Sequence, residues 1–230
     1  GQLLDGKYRY NGREYEMPKH GFARHSVFAL KEQSEDSMTF SLASSDETRK
    51  CYPFEFELLI KYSVSGHTLR CTSTVINKTD GEMYFSIGAH PGFNCRIGDA
   101  IEFEKGENLR TMRIDSSSIL MDETFSVELE NGRTIRLTEH IFDKDALILE
   151  GLNSESLRLV SGDRTVKFTF GKAPYLGIWA KPNAPYVCLE PWYGVNDSCD
   201  KKDSIAEKRG IEKLEKGETF SFDWTAELEG

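Results

Sequence analysis

An antiparallel β-sandwich is the fold class this sequence predicts. Three observations carry that expectation: apolar residues recur with period two, turn dipeptides separate the alternating runs, and helical periodicity is nearly absent. The clearest alternation covers residues 54–64. Phe54, Phe56, Leu58, Ile60, Tyr62 and Val64 are apolar, whereas Glu55, Glu57, Lys61 and Ser63 between them are polar. Successive side chains of a strand point to opposite faces, so this run has one face on a core and one in water. Val166, Phe168 and Phe170 repeat the pattern, as do Phe220, Phe222 and Trp224. Further strands are expected at 38–43, 69–77, 83–87, 126–130, 134–137, 146–149, 156–160, 175–179 and 186–190.

The turns follow from residues that tolerate a positive φ. Asn131-Gly132, Asn11-Gly12 and Asp80-Gly81 are two-residue hairpin signals. Ser65-Gly66 and Gly162-Asp163 are weaker ones. One short helix is expected at 203–209, capped by Asp203 or Ser204. With no composition break, linker or internal repeat, residues 1–230 read as one large all-β domain, a size such domains commonly reach.

Composition narrows the partners. The 230 residues are 38% hydrophobic and 29% charged, enough apolar material for a real core. No apolar run approaches the roughly 20 residues of a membrane helix, so no membrane partner is expected. A formal net charge of -9, without a Lys/Arg cluster, repels phosphate backbones and argues against nucleic acid. The five cysteines are odd in number and contain no CxxC pair. Free thiols in a reducing cytoplasm are the expectation, and the cytoplasm is the expected location. No nucleotide or metal motif is present, so neither cofactor nor metal is expected.

Three stretches break the alternation: residues 17–24, 86–94 and 188–194. Each sets Gly or Pro beside an ionisable residue, as at strand ends that leave the ladder and re-aim a side chain. His90 lies between Gly88-Ala89 and Pro91-Gly92, small neighbours that let a ligand approach. A lone histidine is more often structural, and on its own the run leaves both readings open. Glu190 closes the apolar run Tyr186-Val187-Cys188-Leu189, where partial desolvation would raise its pKa. Pairing with an arginine, or capping an amide, is the competing account. Trp192 offers a face for a sugar ring or a plug for the core. If residues 20–24 are extended, His20, Phe22 and Arg24 share a face, and both polar groups enter one cleft. A solvated loop with Phe22 plugging the core explains the run equally well.

Together these stretches resemble the aldose 1-epimerase family. His20-Gly21-Phe22-Ala23-Arg24 resembles its HGFxR element, and Gly88-Ala89-His90-Pro91-Gly92-Phe93 its G-x-H-P-x-F element. Glu190-Pro191-Trp192, followed by Gly194 and Asp197, is similar to the catalytic-glutamate element of one bacterial branch, and residues 210–218 are similar to its closing pattern. The resemblance implies a many-stranded supersandwich with an open sugar cleft, in which His90 is the general acid and Glu190 the general base. It implies that His20 and Arg24 help bind the sugar, with Asp145 as the binding aspartate and Asp143 as its rival.

It also implies strands before Gly1-Gln2, which this chain is expected to lack, and Gln2 where an arginine is usual. Glutamine cannot make arginine's forked cationic contact. The expected reaction is interconversion of the α- and β-anomers of a free aldose by ring opening and closure. The acid and base are expected to face each other across a gap about one pyranose ring wide, both open to solvent. Three other readings compete: a non-catalytic sugar-binding sandwich, a hexose-6-phosphate mutarotase and, lastly, a glycoside hydrolase.

Overall fold

In the computed structural model, which describes residues 1–162, 164–200 and 204–229, the period-two runs form antiparallel ladders. The chain forms two compact units. The first comprises residues 1–86 and 194–223, and the second residues 87–193 and 224–230.

In the first unit, β1 (Lys7–Tyr10) and β2 (Arg13–Glu16) form a hairpin. Asn11 and Gly12 close it with φ of 49° and 75°, the left-handed pair that a two-residue loop between twisted strands needs. Next come β3 (Ala29–Gln33), β4 (Ser37–Ala43), β5 (Phe56–Ser65) and β6 (Thr68–Asn77), joined in that order. β3 is exposed throughout and has no apolar face, so alternation could not reveal it. Between β4 and β5 lies a one-and-a-half-turn helix, α1 (Asp46–Cys51). Ser45 accepts the Thr48 amide there while Thr48 accepts the Ser45 amide, a reciprocal cap that the sequence reading overlooked.

β7 (Met83–Phe85) pairs with β19 (Glu212–Leu214) rather than with β6, so Asp80-Gly81 closes no hairpin. The reason is Asn77. Its fully buried amide donates to the carbonyls of Gly81, Leu214 and Glu215, and its oxygen accepts the Thr79 amide. Buried polar groups cost free energy when left unpaired. Asn77→Ala is therefore expected to lower stability by about 2–3 kcal/mol, measurable by urea denaturation.

The second unit holds β8 (Ile87–Gly88), β9 (Gly92–Asn94), β10 (Ala100–Phe103), β11 (Arg110–Ile114), β12 (Leu120–Ser126), β13 (Thr134–Arg136), β14 (Leu147–Glu150), β15 (Ser156–Ser161), β16 (Arg164–Thr169), β17 (Tyr175–Trp179) and β18 (Tyr186–Tyr193). One sheet runs β13-β10-β15-β16 and continues onto β20 (Thr219–Glu229), whose residues 225–229 pair with β16. The other runs β12-β11-β14-β17-β18, with β8 and β9 on the far edge of β18. Phe93 of the second sheet meets Phe168 of the first edge-on, with ring centroids 5.6 Å apart, so within this unit the two sheets bury a common aromatic core.

Four expectations need correction. The strand placed at 126–130 lies earlier, at β12. That strand is exposed beyond Leu120 and is held by pairing to β11, with Arg110 reaching Thr124 and Ser126. The helix at 203–209 shrinks to a 3-10 turn over Ile205–Glu207, with Ser204 accepting the Ala206 amide. Asp203, the alternative cap, lies outside the described residues, as does Asp163 of the turn between β15 and β16. Residues 20–24 are not extended. His20 and Gly21 take φ of 65° and 71°, and Ala23–His25 is a 3-10 turn. Lastly, β18 does not end at Glu190 but continues through Pro191 to Tyr193.

All five cysteines are free. Cys71, Cys95 and Cys188 are buried, Cys51 is half-buried and Cys199 is exposed. Among the described residues no helix is long and apolar enough to cross a membrane.

Candidate active site

The continuation of β18 through a proline explains the site. One edge of β18 pairs without a break to β17, with Gly177 opposite Glu190 and Leu176 opposite Pro191. The other edge is interrupted. Gly92 of β9 pairs with Cys188, Gly88 of β8 pairs with Trp192, and residues 89–91 between them leave the ladder. The Leu189 amide donates to the Pro91 carbonyl and the Ala89 amide to the Pro191 carbonyl, which pins both ends of the excursion. A backbone N–H at position 191 would point into this interruption and find no ladder partner there. Proline, which has none, fits at no cost to the sheet.

His90 sits at the crest of the excursion, directly over Glu190. Its Nε2 is 3.2 Å from Glu190 Oε1, with 56% of the imidazole exposed and 5% of the carboxylate side chain exposed. The second carboxylate oxygen, Oε2, accepts the indole N–H of Trp192 at 3.1 Å. Trp179 stands edge-on to His90, centroids 6.3 Å apart, and Tyr186 lies beside Trp179.

The Trp192 ring is held where two glycines make room. A Cβ at Gly177 would stand 2.5 Å from its Cζ2, and one at Gly88 would stand 2.8 Å from its Cδ1. These approaches are too close for any side chain. Gly88 and Gly177 thus let the indole reach the carboxylate from the neighbouring position on β18.

Burial drives Glu190 toward its neutral form and pushes its pKa up to about 8. The Trp192 hydrogen bond opposes this, and the nearby negative charge of Asp145 adds to it. Asp145 is exposed, with φ of 67°, and its carboxylate caps the Ala146 amide at 2.7 Å. Arg113 donates to the carbonyls of Lys144, Asp145 and Ala146 and so braces this turn. The rival, Asp143, is instead engaged by His140 at 2.9 Å.

The expected ring-wide gap between acid and base is not found. The two groups are in contact, and only the imidazole is open to solvent: Glu190 lies within a buried stretch of β18 and is itself buried, so the expectation that both groups are solvent-open is also not met.

Of the seven residues singled out from the sequence, four share this unit: His90 and Trp192 each against a carboxylate oxygen of Glu190, and Asp145 in electrostatic range of that carboxyl. Gln2, His20 and Arg24 belong to the first unit. There the Gln2 side-chain amide donates to the Leu3 carbonyl, and the Gln2 backbone carbonyl accepts the Asp197 amide. The His20 amide donates to the Gly1 carbonyl, and both His20 and Arg24 are exposed. Phe22 stacks obliquely on Tyr52 and Phe56, which makes it an aromatic plug.

Sequence reasoning missed Trp179 and Cys188. Register would have found the latter, since Cys188 and Glu190 are two apart on one strand and share a face. His90, Cys188 and Glu190 offer ligand atoms all within 4.8 Å of one another, the one such group of three among the described residues.

Comparison with known proteins identifies the family and the fold. The family model described as aldose 1-epimerase matches residues 2–224. The chain belongs to the aldose 1-epimerase family. It is 33% identical over 213 residues to the plasmid form of protein LacX from Lactococcus lactis subsp. lactis, covering 85% of this chain and 70% of the relative. Two solved structures superpose on the whole chain with TM-scores of 0.92. One is a galactose mutarotase related enzyme from Lactobacillus acidophilus, 29% identical and covered over 80% of its length. The other is a galactose mutarotase-like protein from Lactobacillus casei ATCC 334, 26% identical and covered over 82%. As a member of the aldose 1-epimerase family, the chain is an isomerase of the supersandwich fold.

Proposed function

We propose that this epimerase interconverts the α- and β-anomers of a free aldohexose, with Glu190 as base and His90 as acid. One observation carries the reading: a buried carboxyl of raised pKa in direct contact with an exposed imidazole. Mutarotation exchanges protons at two oxygens, the ring oxygen and the anomeric hydroxyl, which share one carbon. The acid and base therefore need to be neighbours rather than to flank the ring, and a contacting pair meets that need.

Glu190, when ionised, takes the anomeric hydroxyl proton while the His90 imidazolium gives one to the ring oxygen. The C1–O5 bond breaks, C1 becomes an aldehyde, and rotation about C1–C2 presents its other face. Closure then reverses both transfers. No electron is exchanged, and the protein's net protonation is restored. Passing one proton from the carboxyl to the imidazole 3.2 Å away creates the reactive charge pair without uptake from solvent. Sugar reaches the carboxyl as the exposed imidazole turns aside, which its small neighbours Gly88, Ala89 and Gly92 permit. Asp145, at the rim, is suited to accept a sugar hydroxyl. His20 and Arg24 are assigned to substrate binding on the motif alone, and Gln2 only on its position where the family carries arginine.

Polarimetry on freshly dissolved α-galactose and α-glucose tests the proposal. Catalytic acceleration is expected, and a rate equal to the buffer's would reduce the protein to a sugar binder. Excess glucose 6-phosphate in the same assay should leave galactose turnover unchanged, whereas strong competition would favour a phosphorylated substrate. Trp192→Phe keeps the aromatic packing but removes the indole N–H that favours the carboxylate. The acid limb of the kcat/KM profile should then move to higher pH by about one unit.

A further inference from the structure

We propose that His90, Cys188 and Glu190 form a binding site for a soft divalent cation, Zn²⁺ or Cd²⁺, and that metal held there switches the epimerase off. The argument starts from register. Cys188 and Glu190 lie two apart on β18, so both side chains leave the same face of the sheet. Cys188 is buried, and Gly92 opposite it places no side chain against the thiol: a Cβ there would stand 3.6 Å from the sulfur. His90 then brings its imidazole over the pair from the interrupted edge. The three donors are a nitrogen, a sulfur and an oxygen, the set from which zinc sites are built.

The spacing fits. Tetrahedral zinc with bonds of about 2.0–2.3 Å holds its ligands on the order of 3.3–3.6 Å apart. His90 Nε2 and Glu190 Oε1 are already 3.2 Å apart, and all three donors lie within 4.8 Å. The exposed imidazole supplies the remaining adjustment, and its solvent side leaves a fourth position for water. A cation there occupies the lone pairs of both groups assigned to proton transfer, so bound metal and turnover exclude each other. The inhibition rests on the mutarotase reading, whereas the binding does not.

The test uses the full, reduced chain stripped of metal by chelation. Calorimetric titration with ZnCl₂ should show one equivalent bound, and CoCl₂ should give a cobalt–thiolate charge-transfer absorption. Cys188→Ser should weaken Zn²⁺ at least about tenfold and abolish the cobalt–thiolate band. Cys199→Ser, which alters the exposed thiol, should leave both unchanged. In polarimetry, Zn²⁺ should inhibit the wild type, and Cys188→Ser, compared with its own metal-free rate, should resist the metal. Cys188→Ala repeats the measurement should the serine perturb folding.

Absence of binding, equal binding by the Cys188 variants, or loss of binding in Cys199→Ser overturns the proposal. Zinc binding that depends on Cys188, in a protein without sugar turnover, would uphold the site and remove the mutarotase reading instead. Normal turnover without zinc binding would do the reverse.

Discussion

Glu190→Gln is expected to lower sugar turnover by about 10²–10⁴-fold while leaving the fold intact, the range a positioned acid or base typically contributes. The substitution keeps the shape of the side chain and an acceptor for the Trp192 indole but removes the basic oxygen. His90→Ala should fall by a similar factor. The two groups contact each other and act on one carbon, so their losses should not add: the double variant is expected to resemble the slower single variant. Polarimetry gives the rates, and circular dichroism checks the fold. A folded Glu190→Gln protein with near-normal turnover would remove Glu190 from the mechanism. Fully additive losses would mean that the two side chains act independently, contrary to a shared proton.

How far the sequence could reach is clear from particular residues. Several strands were legible, though not always with the expected faces: residues 54–64 largely became β5, whose apolar face is buried at Phe56 and Leu58 but exposed at Tyr62 and Val64, and 175–179 became β17 to the residue, a strand buried on both faces rather than one. Alternation reports burial, so strands without a buried face were invisible, as with β3, or misplaced, as with β12. The family elements located His90 and Glu190, but not their contact. That contact depends on a break in one edge of β18 opposite an unbroken pairing on the other, a relation between segments a hundred residues apart. Trp192 was legible as an aromatic residue near the site. That its indole grips the carboxyl depends on Gly88 and Gly177, whose significance appears only once the chain is folded. The shared face proposed for His20 and Arg24 assumed extended backbone, and the left-handed His20-Gly21 pair removes that assumption.

The same burial that raises the Glu190 pKa should weaken the fold at alkaline pH. Its folded pKa, about 8, lies above the roughly 4.3 of an unfolded glutamate. The folded state therefore binds the proton more tightly than the unfolded chain, and the favourable contribution is complete below the unfolded value. It diminishes as pH rises and is lost once pH passes through the folded value. Wild-type stability from urea denaturation is expected to fall by about 2–4 kcal/mol between pH 5 and pH 9, a window set by these two limits. Glu190→Gln carries no proton to lose, so its curve should be flatter over the same window. The variant should be the more stable protein at pH 9 and the slower one at every pH. Other groups titrate here too, with Cys188 pushed up to about 11 by burial, so the difference between the two curves isolates Glu190. Parallel curves would mean that ionising this carboxyl costs the fold nothing. Its reluctance to ionise would then be absent, and with it the reason to expect a proton held ready between positions 90 and 190. Diverging curves would show that the fold loses stability when the buried Glu190 carboxyl ionises.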